Sequence, residues 1–313
     1  MIARWQRGAL LLGFALWALA SGLAWAQGHP ALALAFTGLA LGGHAAWLGL
    51  TVLLMRRVQR ASGVAPPAGA DAWRSWWAEC RAAPRVFAWR QPFRTHAEPD
   101  VWPADAAGRQ GVLLVHGYLC NRAIWNPWLR CLRARGIPAV AVTLEPPGAA
   151  LDTHVPTLAA AAQQLWLRTG RAPLLVGHSM GGLALRAWWR ADGGRTPVAG
   201  LVTVGTPHQG TWMALWGHSD SARQMQPGSA WLRQLAADEA RLRAEGSEAP
   251  AVLSVFSPCD SIVFPTQGAV WPGGEALAVA GAGHVDLLQH AAVFEAVCQR
   301  LEGARAEAGG RRH

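Results

Sequence analysis

The stretch Gly177-His178-Ser179-Met180-Gly181-Gly182 constrains this chain more than any other. Before it lies a short apolar run, residues 172–176, ending in a β-branched valine; after it, residues 183–190 carry apolar positions at helical spacing. Strand, glycine-flanked serine and helix together make a nucleophile elbow. Gly177 and Gly181 allow a sharp turn where a neighbouring Cβ would block the backbone. Such a turn lifts the Ser179 hydroxyl above the strand end. It also leaves the Met180 amide without an intrahelical partner at the start of the helix. A serine presented in this way needs a base, an acid and a second amide from elsewhere in the chain.

The rest of the sequence alternates in a way that suits such an elbow. Residues 85–95, 112–116, 139–143, 172–176, 198–204, 252–256 and 277–280 read as strands. Residues 122–136, 151–170, 183–191 and 285–301 read as helices. This alternation predicts an α/β fold with a doubly wound, mostly parallel sheet covered on both faces. With 51% apolar residues the chain can fill a substantial core. Residues 208–248 interrupt the alternation and are expected to form a lid insertion, in which the charged stretch 229–248 reads as a solvated outer face.

The first sixty residues follow a different pattern. Residues 8–26 and 31–55 carry no Asp, Glu, Lys or Arg, and each run is long enough to cross a bilayer as a helix. Only Gln27-Gly28-His29-Pro30 separates them, so residues 1–60 are expected to be a transmembrane hairpin. Arg4 and Arg7 precede the first run; Arg56, Arg57 and Arg60 follow the second. By the positive-inside rule both ends are cytoplasmic, which predicts a multi-pass protein of the inner membrane with the rest of the chain in the cytoplasm. A rival reading takes residues 1–26 as a signal peptide with Ala24-Trp25-Ala26 as its cleavage site. Residues 61–84 read as a small-residue linker followed by an amphipathic helix with Asp71 as its N-cap. There Trp73, Trp76 and Trp77 share one face, turned either to the membrane interface or to the body of the protein. Residues 85–302 form the main domain, and residues 303–313 read as a disordered tail.

The partners of Ser179 stand at the expected places. Residues 112–116 run into Gly117-Tyr118, where the Tyr118 amide is the natural second donor, opposite that of Met180. Two such donors would stabilise the negative charge that develops on a carbonyl oxygen under attack. His116 reads as a structural histidine of that loop. Asp260 follows an apolar strand, beside Ile262, Val263 and Phe264, and His284 follows the next strand after flexible glycines. In the order Ser179, Asp260, His284 the histidine takes the serine proton and the aspartate fixes its tautomer. Asp286, two residues from His284, is set aside because it would point away.

Residues 110–302 resemble the α/β-hydrolase superfamily, and within it bacterial lipases and esterases. The likeness is carried by His116-Gly117-Tyr118, the elbow, Asp260, His284 and Thr206-Pro207-His208-Gln209-Gly210-Thr211, with residues 222–229 also lipase-like. The resemblance implies that Ser179, Asp260 and His284 are catalytic and that Tyr118 and Met180 supply the oxyanion amides. The apolar lid segment with Trp212, Met213 and Trp216 is a candidate substrate-binding surface for an acyl chain. The chain departs from secreted lipases at its N-terminus, which reads as an anchor.

The expected function is therefore hydrolysis of an acyl-ester or lipid substrate at a membrane, through an acyl-enzyme. Acyl transfer or thioester cleavage by the same residues, and a non-catalytic tethered binding protein, remain as alternatives. The net charge is +9 and every one of the 28 basic residues is arginine, in keeping with a GC-rich bacterial genome. The charge is dispersed, which favours anionic lipid over nucleic acid as its partner. The five cysteines show no Cys-x-x-Cys pair. With no metal-binding motif either, no disulfide framework, metal or cofactor is expected.

Overall fold

A computed structural model of the chain describes residues 1–310. Two long helices open it, α1 (Ile2–Ala26) and α2 (Pro30–Ala61). They are followed by α3 (Gly69–Pro84). This third helix begins a turn earlier than the sequence suggested. Ala68 is its N-cap, and Asp71 sits in the first turn paired with Arg74.

The segment expected as a strand at residues 85–95 is helical. A π-helical stretch, Arg85–Arg90, continues α3 and passes into α4 (Gln91–Phe93). The wider ladder follows directly on Pro84, which has no N–H to donate and crowds the carbonyl four residues back. Apolar and aromatic residues in so short a run suit either period. The burial of Val86 against the core and of Gln91 beneath α1 goes with the helix.

Among the described residues six strands remain: β1 (Val112–Val115), β2 (Ala139–Ala141), β3 (Leu174–His178), β4 (Gly200–Val204), β5 (Val252–Phe256) and β6 (Glu275–Ala278). All pairs are parallel, in the order β2-β1-β3-β4-β5-β6. An antiparallel bridge from Val101 to Ala139 covers the β2 edge. Side chains alternate across the sheet. Val112, Leu114 and Val176 face a core built on α5 (Asn126–Ala134) and α10 (Ala291–Gly310). Leu113, Val115 and Leu175 face a second core built on α6 (Val155–Thr169) and α7 (Met180–Asp192). Helix α10 continues to Gly310, across a stretch read from the sequence as disordered; residues 311–313 lie outside the described residues.

The insertion between β4 and β5 holds a 3-10 turn (Trp212–Trp216), α8 (Asp220–Gln224) and α9 (Ala230–Ala244). Helix α9 is more than a solvated face. Leu232, Leu235 and Glu239 are buried, and Glu239 meets Arg186 of α7 in a two-pronged ion pair at 2.8 and 2.9 Å.

The long helices are half exposed and half docked. Residues 8–47 of α1 and α2 leave most of their apolar side chains uncovered, whereas Thr51, Val52, Met55, Val58 and Gln59 of α2 are buried. Val52, Met55 and Val58 pack with Ala72 of α3 and Phe264. Trp76 donates its indole N–H to the Ala45 carbonyl of α2 at 2.8 Å, while Trp73 and Trp77 are exposed. The face of α3 turned to the rest of the protein is the other one: Ala72, Ser75, Glu79, Ala82 and Ala83.

Candidate active site

The sheet order reverses between β1 and β3, whose next neighbours lie on opposite sides. Open α/β sheets bind ligands above the carboxyl ends of strands at such a point. The two loops leaving there are His116-Gly117-Tyr118 and the Ser179 turn. The register pairs Val115 with Gly177, which sets the loops side by side. A Cβ on Gly117 would lie 2.8 Å from that of Ser179.

Ser179 has φ 53° and ψ −127°, a left-handed conformation that costs a non-glycine residue about 1–3 kcal/mol. Its neighbours hold it there. The Ser179 N–H donates to the Val204 carbonyl at 2.8 Å, and the Thr206 hydroxyl donates to the Ser179 carbonyl at 2.9 Å. The flanking glycines are required by close approach. A Cβ on Gly177 would stand 2.6 Å from the Gly182 backbone, and one on Gly181 would collide with the Val115 and His116 carbonyls. Helix α7 starts at Met180, so its amide has no intrahelical acceptor. The Tyr118 amide likewise donates to no other group among the described residues. The Tyr118 hydroxyl reaches Ser219 of the insertion at 3.0 Å.

Asp260 and His284 meet directly. His284 Nδ1 lies 2.7 Å from Asp260 Oδ2, while Asp260 Oδ1 accepts the Ile262 and Val263 amides at 2.8 and 2.9 Å. Both groups line the backbone of Gly205, whose Cβ would lie 3.2 Å from Asp260 Oδ2 and 3.3 Å from His284 Nδ1. Gly205 follows Val204, the residue that holds the Ser179 amide, so the pair stands against the same strand end as the serine. Among the described residues the Ser179 hydroxyl makes no hydrogen bond to His284. Such contacts commonly tighten only when substrate is bound. Burial pulls the His284 pKa down, but the Asp260 charge, its hydrogen bond and the Glu79 charge outweigh this and raise it above 6.5.

His116 and His178, the histidines beside the elbow, have structural partners. His116 accepts the Leu144 amide at Nε2, at 2.9 Å. Burial holds its pKa near 4. His178 packs its ring 4.7 Å from that of His284 and bonds the His284 carbonyl through Nε2 at 3.1 Å. His290 precedes α10 and is not part of it. Trp212 and Trp216 are exposed on the insertion, and Met213 packs with the cluster of α2, α3 and Phe264. The insertion is tied to the Asp260 loop where the Thr211 hydroxyl donates to the Ile262 carbonyl at 2.5 Å and the Trp212 amide to Phe264 at 3.1 Å.

Sequence reasoning passed over one residue of this neighbourhood. Glu79 of α3 is 5% exposed, and its carboxylate accepts the amides of Val285 and Asp286 at 3.0–3.1 Å. The available signal was a lone acid on a helical face of small residues, Ala72, Ser75, Ala82 and Ala83.

No protein-family model matches the sequence, and no curated protein matches it. Solved structures do. The chain is similar to the Bacillus licheniformis lipase BlEst2 in its mature form, at 17% identity and a TM-score of 0.54, over 65% of this chain and 95% of that one. It is similar to the propeptide form of that lipase at 17% identity and a TM-score of 0.52, over 63% of this chain and 51% of the other. With its parallel six-stranded sheet and the turn at Ser179, this chain has the α/β-hydrolase fold.

Proposed function

We propose that this protein is a membrane-anchored serine hydrolase that cleaves carboxylic esters of lipid character through an acyl-enzyme. The observation that carries the proposal is the Asp260–His284 pair at 2.7 Å, standing at the same strand end as a serine in a strained turn. In the reaction Ser179 Oγ attacks the ester carbonyl carbon while His284 Nε2 takes its proton. Asp260 accepts from Nδ1–H and stabilises the imidazolium. The Met180 and Tyr118 amides receive the developing oxyanion, each donor contributing about a hundredfold in rate. His284 then gives the proton to the departing alkoxide, and a water activated by the same imidazole releases the acid.

Two features support a lipid substrate and a bilayer location. Helices α1 and α2 are long, apolar and largely uncovered over residues 8–47, with arginines at both outer ends. Arg56 donates to the Pro67 carbonyl at 2.6 Å, which ties the end of α2 to the linker. Gln6 of α1 bonds Gln91 and the Leu119 carbonyl at 3.1 and 3.2 Å, contacts that favour retention of α1 over its removal as a signal peptide. The exposed Trp212, Leu215 and Trp216 offer apolar surface to an acyl chain, where each buried CH₂ contributes about 0.8 kcal/mol.

The test uses the full chain in detergent micelles with nitrophenyl esters of increasing chain length, together with labelling by a fluorophosphonate. Wild type should hydrolyse and label, and Ser179→Ala should do neither. Activity surviving in Ser179→Ala would sink the mechanism, and labelling by an impermeant probe in intact cells would overturn the cytoplasmic assignment.

A further inference from the structure

The geometry points to Glu79 as a positioning residue for His284, supplied by the helix that follows the membrane hairpin and lying outside the α/β sheet. This inference rests on the reading of His284 as the base. Both oxygens of Glu79 accept the Val285 amide, each at 3.1 Å, and Oε2 also accepts the Asp286 amide at 3.0 Å. On the other side His178 Nε2 bonds the His284 carbonyl at 3.1 Å. The backbone is therefore pinned immediately before and after the imidazole that has to meet Ser179. A Cβ on Gly283 would overlap the Glu79 carboxylate, so a glycine there lets α3 come this close.

The other loops of the site are braced from the same direction. Thr51 of α2 bonds the Ser261 hydroxyl, Gln59 donates to the Pro258 carbonyl, and Ser75 of α3 donates to the Cys259 carbonyl, all at 3.1 Å. Gln6 of α1 reaches Leu119, which holds φ 51° beside Tyr118. Glu79 differs from these contacts in carrying a charge toward the reacting imidazole. Burial pushes its pKa up to about 7, against the pull of His284 and the two amides. The titratable groups around it are His284 and Asp286 on the same loop, Asp260 after β5, and Cys80 and Arg81 beside it on α3. A carboxylate in this position does two things. It fixes where the ring stands, and it favours the imidazolium that forms during attack.

The experiment compares wild type, Glu79→Gln and Glu79→Asp as full chains in detergent, with kcat, KM, pH profile and melting temperature measured for each. Glu79→Gln keeps an acceptor for the amides and removes the charge. Its kcat should fall about tenfold or more, with KM little changed, since small misplacements of catalytic groups are costly. The acid limb of kcat/KM should move to lower pH, because no anion then favours protonated His284. Glu79→Asp keeps the charge at shorter reach, so kcat should fall while the limb stays near its wild-type position. Wild-type kcat and limb in Glu79→Gln would overturn the inference. So would equal losses in both variants with the limb unmoved, which would mean a purely structural brace. If Glu79→Gln does not fold, Glu79→Asp decides: wild-type kcat overturns the inference, and lowered kcat with unchanged KM and melting temperature supports it. Activity in Ser179→Ala would instead sink the hydrolase reading itself, so the two failures are distinct.

Discussion

Replacing Asp260 with asparagine isolates the role of its two oxygens. Oδ1 accepts the Ile262 and Val263 amides at 2.8 and 2.9 Å, and Oδ2 faces His284 Nδ1 at 2.7 Å. In Asp260→Asn the carbonyl oxygen must take the Oδ1 position. The opposite flip would set an NH₂ against two buried N–H donors and lose both bonds, at about 1–3 kcal/mol each. The NH₂ then donates to Nδ1, which forces the ring proton onto Nε2, the nitrogen that has to receive the serine proton. The residue keeps its shape and the base is in the wrong tautomer. The expected loss is about 10⁴-fold in kcat, or about 5.4 kcal/mol at about 1.36 kcal/mol per decade. The assay is initial rates on a nitrophenyl ester with the full chain in detergent, with circular dichroism and a thermal melt to show that the fold persists. A folded Asp260→Asn enzyme retaining more than about a tenth of wild-type kcat would refute the tautomer argument.

Two further outcomes follow from the geometry. In the proposed mechanism only neutral His284 accepts the serine proton, and the surrounding carboxylates raise its pKa above 6.5 against the pull of burial. The kcat/KM of the wild-type enzyme should therefore climb with pH to a midpoint above 6.5, and a rate flat from about pH 5 to 9 would contradict this. Glu239→Ala strands the buried Arg186 guanidinium, which otherwise pairs with Glu239, donates to the His208 carbonyl at 3.0 Å and stacks 4.5 Å over Trp271. Removing one partner of a buried pair costs about 3–5 kcal/mol, measurable by denaturant unfolding, and a loss under about 1 kcal/mol would count against it.

The elbow was legible because its rule is local. Gly177, Gly181 and Gly182 sit where neighbouring backbone or Thr206 leaves no space for a Cβ, and a motif of adjacent residues records that directly. The strands of the sheet were legible as apolar runs for a similar reason, since a parallel strand covered on both faces has no polar side to display. Residues 85–95 misled because a short run of apolar and aromatic residues fits two periods. Pro84 and the burial of Val86 and Gln91 accompany the helical outcome.

What residues 177–182, the early glycine loop and the order of Asp260 and His284 mark is where a candidate site stands, because the proposed chemistry requires particular side chains at the ends of strands. The pattern also marks residues 8–26 and 31–55 as apolar helices, since length and lack of charge are properties of the chain itself. Only the tertiary structure decides that Thr51 and Gln59 turn inward, that α3 offers Glu79 and not its tryptophans to the α/β domain, and that Glu239 of the insertion pairs with Arg186. Each of these is a polar group buried by partners far away in the sequence. Burial of a polar group is worthwhile only where a matching donor or acceptor awaits it, and that match exists only once the distant segments have come together.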